Sequence, residues 1–157
     1  MKKISIVIPM YNEHEIANMC YKRINEVIKQ LNNYEYEIIF INDGSKDNTQ
    51  LILEEIAKED KNVKILSFSR NFGHQAAVTA GIKYVTGDAI VIMDADLQDP
   101  PELIPDMLKL WEDGNEVIYG KRKTRTARGS LRSDHRWIYR FYISQSLRTA
   151  TTSIDFE

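Results

Sequence analysis

The sequence predicts an α/β fold, a mostly parallel sheet with helices on both faces. Short, continuously apolar strand runs alternate with segments of helical hydrophobic period through the first 120 residues. Strands that read as unbroken apolar runs are those buried on both faces, as in parallel sheets covered by helices. The polar clusters fall directly after the strands, where open α/β sheets bind their ligands.

The elements follow in order. Ile4-Ser5-Ile6-Val7-Ile8 is a strand that stops at Pro9, and Ile16, Cys20, Ile24, Val27, Ile28 and Leu31 then recur at helical spacing over residues 13–31. Tyr36-Glu37-Ile38-Ile39-Phe40-Ile41 is the second strand, closed by Asn42-Asp43-Gly44-Ser45. Asp47 or Asn48 caps a helix that runs to about Glu59. Residues 63–68 form a third strand, and a helix rich in small residues spans 74–85. The fourth strand, residues 89–93, runs straight into Asp94-Ala95-Asp96, and a helix over 101–112 buries Leu103, Ile104, Met107, Leu108 and Trp111. Residues 116–119 make a fifth strand. Beyond it, residues 121–130 read as a basic loop and 131–147 as a helix, with Arg132, Arg136 and Arg140 in a row beside Trp137 and Phe141. That is the pattern of an interfacial helix, and equally of a packed helix whose arginines snorkel. Residues 149–157 show no clear element. The chain thus divides into a core, 1–120, and a basic region, 121–157.

Bulk composition narrows the classes. At 157 residues with 43% hydrophobic content, the chain suits one domain with a real core. A lone cysteine excludes an internal disulfide and reads as a core thiol. No apolar run reaches the ~20 residues that span a bilayer, and no signal-peptide core opens the chain, so a cytoplasmic protein is expected. The net charge of −2 hides an asymmetry: residues 121–157 hold nine Lys/Arg against three Asp/Glu, residues 1–120 twelve against twenty. The acidic body argues against nucleic-acid binding. The basic region suits phosphates or, through residues 121–148, an anionic membrane surface.

The candidate chemistry lies in the loops. The chain has no Gly-x-Gly-x-x-Gly after its first strand and no Gly-x-x-x-x-Gly-Lys-Ser/Thr loop, so a metal is the simple remaining route to phosphate. Asp94 and Asp96, alternating at a strand end, can face one way and hold a hard divalent cation, with Gln98 as a third oxygen. Asp43 is placed either to accept hydrogen bonds from a nucleoside or to form an Asx turn with Gly44 and Ser45. Glu13 reads as a cleft carboxylate or as a first-turn residue favoured by the helix dipole. His74 opens a helix, as an anion contact or a hydrogen-bonded loop residue. Lys121, Arg122 and Arg125 follow the fifth strand, able to clamp a diphosphate.

Four motifs in order then match a known family: Val7-Ile8-Pro9-Met10-Tyr11-Asn12-Glu13, residues 42–49 from Asn42-Asp43-Gly44-Ser45, Arg70-Asn71-Phe72-Gly73-His74-Gln75, and residues 93–102 around Asp94-Ala95-Asp96-Leu97-Gln98. Over about residues 3–145 the chain resembles the inverting glycosyltransferases of family 2, and within them the polyprenyl-phosphate hexosyltransferases. The resemblance implies a nucleotide-sugar-binding, glycosyltransferase A-type fold, a UDP- or GDP-hexose donor, and Mg or Mn. By it, Pro9, Tyr11, Glu13 and Asp43 frame the nucleoside. Asp94, Asp96 and Gln98 hold the metal, and Arg122 contacts phosphate. The implied acceptor is polyprenyl phosphate at the cytosolic membrane face, and a lipid phosphate needs no general base to become nucleophilic. The rival readings are transfer to a glycan hydroxyl, donor binding without turnover, and an aspartyl-phosphate phosphohydrolase, which would carry its acidic pair on the first strand. Members of this group commonly continue further and often carry two membrane helices, so the chain is expected to hold the donor half of a longer enzyme.

Overall fold

A computed structural model describes residues 1–98, 100–122, 141–142 and 151–156. Its strands are β1 (Lys2–Met10), β2 (Tyr34–Asn42), β3 (Val63–Ser67), β4 (Ala89–Ile92), β5 (Val117–Arg122), β6 (Phe141–Tyr142) and β7 (Thr151–Phe156). Helices α1 (Ala17–Ile28), α2 (Thr49–Glu59), α3 (His74–Tyr84) and α4 (Ile104–Glu112) connect the first five, with a 3-10 turn, Pro101–Leu103, leading into α4. The seven strands form one sheet in the order β3-β2-β1-β4-β6-β5-β7. All pairings are parallel except those of β6, which runs antiparallel to both β4 and β5.

Strand alternation sorts the core onto two faces. Ile4, Ile6, Ile8, Ile38, Phe40 and Val91 pack with Cys20 and Ile24 of α1, Leu53 and Ile56 of α2, and Met107 and Leu108 of α4. Val7, Ile39, Ile41 and Ile90 point the other way, toward Ala77 of α3. Both faces are covered, which is why the strands carry no polar alternation in sequence. Helix α3 rests close to the sheet: a Cβ on Gly81 would stand 2.5 Å from Val7 Cγ1 and 2.8 Å from Ile41 Cδ1. Cys20 is fully buried, and burial pushes its thiol up to about 12, as expected of a core thiol.

One buried polar cluster interrupts the α3 face. Glu37, 1% exposed, accepts hydrogen bonds from Ser5 Oγ (2.6 Å), Thr86 N (2.6 Å) and Lys64 Nζ (2.7 Å), with Lys3 Nζ at 3.2 Å. Burial alone would raise this carboxyl. The bonds from Lys64, Ser5 and Thr86 outweigh it and hold the group at about 2.

Several boundaries depart from the sequence reading. Helix α1 begins at Ala17, after Glu13, because the backbone N–H groups of Asn12, Glu13 and His14 are committed to cross-loop hydrogen bonds. Asn48 stands at the N-cap of α2 without a side-chain cap bond, and Asp47 just before it accepts from Thr49 N (3.0 Å) and Thr49 Oγ1 (2.6 Å). Strand β5 extends to Arg122, so the expected basic loop does not begin at residue 121. Phe141 and Tyr142, expected in a helix, are strand instead. They fill the gap between β4 and β5, where two open ladders need donors and acceptors and aromatic residues fit a sheet well. Thr151–Phe156, expected to carry no element, pairs with β5. The rest of the expected loop and helix, 123–140 and 143–147, lies outside the described residues.

Candidate active site

Four strand-to-helix loops meet at the carboxyl ends of β1, β2, β3 and β4, as their sequence positions predict. The first two are stitched together. Asn12, at a φ of 57°, donates its backbone N–H to Ser45 Oγ (3.0 Å) and accepts from Lys46 N at its side-chain oxygen (2.8 Å). Glu13 N donates to Thr49 Oγ1 (2.9 Å), and His14 Nδ1 lies 2.7 Å from Asp47 Oδ2. None of these partners stood out in sequence. The available signal was the density of short polar side chains in residues 42–49, which can bond backbone groups of a neighbouring loop.

Asp43 ties the second loop to the third. It is 3% exposed, and its two oxygens accept the backbone N–H groups of Phe72 (2.7 Å) and Gly73 (2.9 Å). The Asx-turn alternative for Asp43 is corrected: its oxygens are taken by the third loop, and Ser45 N–H donates instead to the side-chain oxygen of Asn42, three residues before it, at 2.9 Å. Gly44 makes the approach possible. Its φ is +66°, and a Cβ there would collide with the Arg70 backbone.

These loops enclose a cleft of about 460 Å³. Pro9, Tyr11, Glu13, Asp43, Asp94 and Asp96 all line it, together with Asn71, His74 and the backbone around Gly73. The structure therefore gathers six of the sequence candidates in one place. Tyr11, 41% exposed, and Asn71 also border a second hollow of about 510 Å³, which runs toward Asn42, Gln50, Ser67 and Arg70. A cation–aromatic stack flanks that hollow: Arg70 lies over the Phe72 ring at 4.6 Å, and Phe72 meets Phe68 edge-on at 5.5 Å.

The acidic pair reaches the cleft by a different route from the one expected. β4 ends at Ile92, and Asp94 and Asp96 lie in the turn that follows rather than alternating along a strand. Asp96 Oδ1 accepts the backbone N–H of Gln98 (3.0 Å), and Leu97 between them sits at a φ of 58°. Gln98 follows two residues later, its backbone N–H held by Asp96. The expected phosphate contact of Arg122 lies outside the described residues, as does its side chain.

Charge is crowded here. Burial raises the Glu13 carboxyl, and Asp96, Asp47 and Asp94 add to the rise. Burial also raises Asp94, with Asp96 adding and His74 opposing; His74 Nε2 stands 3.8 Å from Asp94 Oδ1. Among the described residues no group of three or more His, Cys, Asp or Glu side chains is arranged around a single point. Two aspartates with open space before them nevertheless fit Mg or Mn, ions that take a few carboxylates and complete their shell with water and phosphate oxygens. A divalent cation would also relieve the repulsion among Glu13, Asp94 and Asp96.

Comparison with known proteins turns this geometry into a family. The chain matches the sequence profile described as Glycosyl transferase family 2 over residues 5–156. It belongs to glycosyl transferase family 2. This family 2 chain is 45% identical, over 141 residues, to the prophage bactoprenol glucosyl transferase homolog of Escherichia coli (strain K12), covering 89% of this chain and 46% of that protein. It is 53% identical over 121 residues to the uncharacterized glycosyltransferase YkcC of Bacillus subtilis (strain 168), covering 77% of this chain and 37% of YkcC. The chain thus spans less than half the length of these curated relatives. Among solved structures, the mannosyltransferase PcManGT from Pyrobaculum calidifontis, in complex with GDP-Man and Mn2+, is similar with a TM-score of 0.66 at 18% identity, over 78% of this chain and 36% of that one. The fold is that of the glycosyltransferase A-type enzymes, as the resemblance implied. Among the described residues no helix is long and apolar enough to cross a membrane.

Proposed function

We propose that this family 2 glycosyltransferase moves a hexose from a UDP- or GDP-hexose to a polyprenyl phosphate, with inversion, at the cytosolic face of a membrane. The observation that carries the proposal is one cleft lined by Asp94, Asp96, Glu13 and Asp43 at the ends of parallel strands. Pro9, Tyr11, Glu13 and Asp43 would frame the nucleoside. Asp94 and Asp96 would hold Mg or Mn, with Gln98 contributing a third oxygen. Arg122 would meet the phosphates. The bound metal supplies positive charge against the departing diphosphate, the main electrostatic demand of the reaction.

The bond changes are simple. A phosphate oxygen of the lipid forms a bond to the anomeric carbon as that carbon's bond to the diphosphate breaks, and the electron pair leaves on the diphosphate. The acceptor is already anionic near neutral pH, so no carboxylate need remove a proton. The acceptor assignment draws on likeness to bactoprenol glucosyl transferase relatives, and the basic region 121–148 would serve as the membrane contact. The core over 1–120 is proposed as the donor-binding unit.

Calorimetric titration with UDP and with GDP, in Mn2+ and again with chelator, tests the donor site. Metal-dependent binding of one nucleotide is expected; binding of neither with metal present refutes the assignment. Comparing polyprenyl phosphate with oligosaccharide acceptors, using the protein at its natural length, tests the transfer. Product on the glycan alone would replace the lipid-phosphate reading.

A further inference from the structure

We propose that Arg23 is a positioning residue for the acidic turn, holding Asp96 in place from across the cleft wall; the proposal rests on the donor-site reading above. Arg23 lies on α1, between the fully buried Cys20 and Ile24, so its backbone is anchored against the sheet. Its guanidinium forks onto Glu102, Nε to Oε1 at 2.8 Å and Nη2 to Oε2 at 2.9 Å. The remaining nitrogen, Nη1, points at the carbonyl of Leu97 at 3.5 Å. One planar group thus touches both ends of the segment 97–102.

What it holds is a strained point. Leu97, at a φ of 58°, occupies the left-handed region that non-glycine residues adopt rarely and only where their surroundings enforce it. Its side chain packs on the main core cluster from one side, and Arg23 meets its carbonyl from the other. Immediately before it Asp96 accepts the Gln98 N–H at 3.0 Å, an Asx turn that closes over Leu97. Release of Leu97 into an ordinary backbone region would swing Asp96 away from Asp94. An ion pair this exposed contributes little to overall stability. The bidentate geometry matters instead for direction, which lysine cannot supply because it offers a single point charge.

The test compares wild type, Arg23→Ala, Arg23→Lys and Glu102→Ala by calorimetric titration of UDP and GDP, with Mn2+ and with chelator, alongside thermal unfolding. Outer residues that orient metal ligands change metal affinity by about 10-fold to 100-fold when removed. Arg23→Ala should therefore weaken Mn2+-dependent nucleotide binding at least about tenfold, with metal-free nucleotide affinity within twofold of wild type and little change in melting temperature. Arg23→Lys should recover only a minor part of the loss. Glu102→Ala should shift binding in the same direction, and it keeps the test decisive should Arg23→Ala fold poorly. Unchanged Mn2+-dependent binding in Arg23→Ala, full rescue by lysine, or an equal fall with and without metal would each overturn the proposal. Wild type that shows no metal-dependent binding would instead overturn the donor-site reading, and this proposal with it.

Discussion

Replacing Asp43 by alanine removes the acceptor for two backbone amides at once. In the native protein its carboxylate takes the N–H groups of Phe72 and Gly73 at 2.7 Å and 2.9 Å, in a setting 3% exposed. Hydrogen bonds to a charged acceptor contribute about 1.5–3 kcal/mol each, which sets a gross loss of roughly 3–6 kcal/mol. The true figure belongs at the low end, because the Phe72 side chain is 51% exposed and water can reach the loop once it loosens. About 3 kcal/mol corresponds to roughly 6–12 °C in Tm for a chain of this size, at ~2–4 °C per kcal/mol. Asp43→Asn should lose less, about 2 kcal/mol, since one oxygen remains while the amide nitrogen confronts a donor. Urea unfolding gives the free energies, and hydrogen exchange at the Phe72 and Gly73 amides reports the bonds directly. Those two amides should exchange faster in Asp43→Ala. Unaltered exchange with a stability loss under about 1 kcal/mol would show that Asp43 does not hold the loop and is free for ligand alone.

Three further outcomes are expected. Glu37 ionises at about 2 in the folded protein against an ordinary 4.5, so the unfolded chain binds more protons between those values and stability falls as pH drops through that window. That drop amounts to about 3 kcal/mol at ~1.36 kcal/mol per unit; Glu37→Gln should lack it, and urea midpoints from pH 7 down to 2.5 that fall in parallel for both proteins would refute the account. Gly44→Ala combines a φ of +66° with a collision against the Arg70 backbone, so a loss of about 2 kcal/mol or more is expected. Gly44→Asn should not rescue it, and an asparagine variant as stable as wild type would assign the cost to φ rather than to space. Asp96→Ala should abolish Mn2+-dependent nucleotide binding while leaving thermal unfolding nearly unchanged; calorimetry that finds metal-dependent binding intact would remove Asp96 from the metal's ligands.

The sheet was legible because strands buried on both faces must be apolar throughout, and runs such as Ile38-Ile39-Phe40-Ile41 admit few other readings. The cleft was legible because its loops follow strands directly and carry side chains with no role in a core. Local geometry was not. Asp94 and Asp96 share a wall through a turn with a left-handed Leu97, a conformation that Leu itself does not announce. Asn42 rather than Asp43 holds the Ser45 N–H, because Asp43 is drawn off by amides nearly thirty residues away, and spacing along the chain cannot register such a partner. β6 was invisible for a related reason. Its two residues owe their conformation to the open edges of β4 and β5, while the arginine spacing around them fits a helix.

The direction of β6 has a consequence for charge. Because it runs antiparallel to β4 and β5, the chain leaves β5 at Arg122 and re-enters the sheet at Phe141 on the same side, the side that carries the cleft. Phe141 stands opposite Val91, only a few residues before Asp94. The intervening stretch, 123–140, holds six Lys/Arg and one Asp. The sequence joining those two strand ends is cationic, whereas Glu13, Asp94 and Asp96 line the cleft and would repel an incoming phosphate until a divalent cation offset their charge.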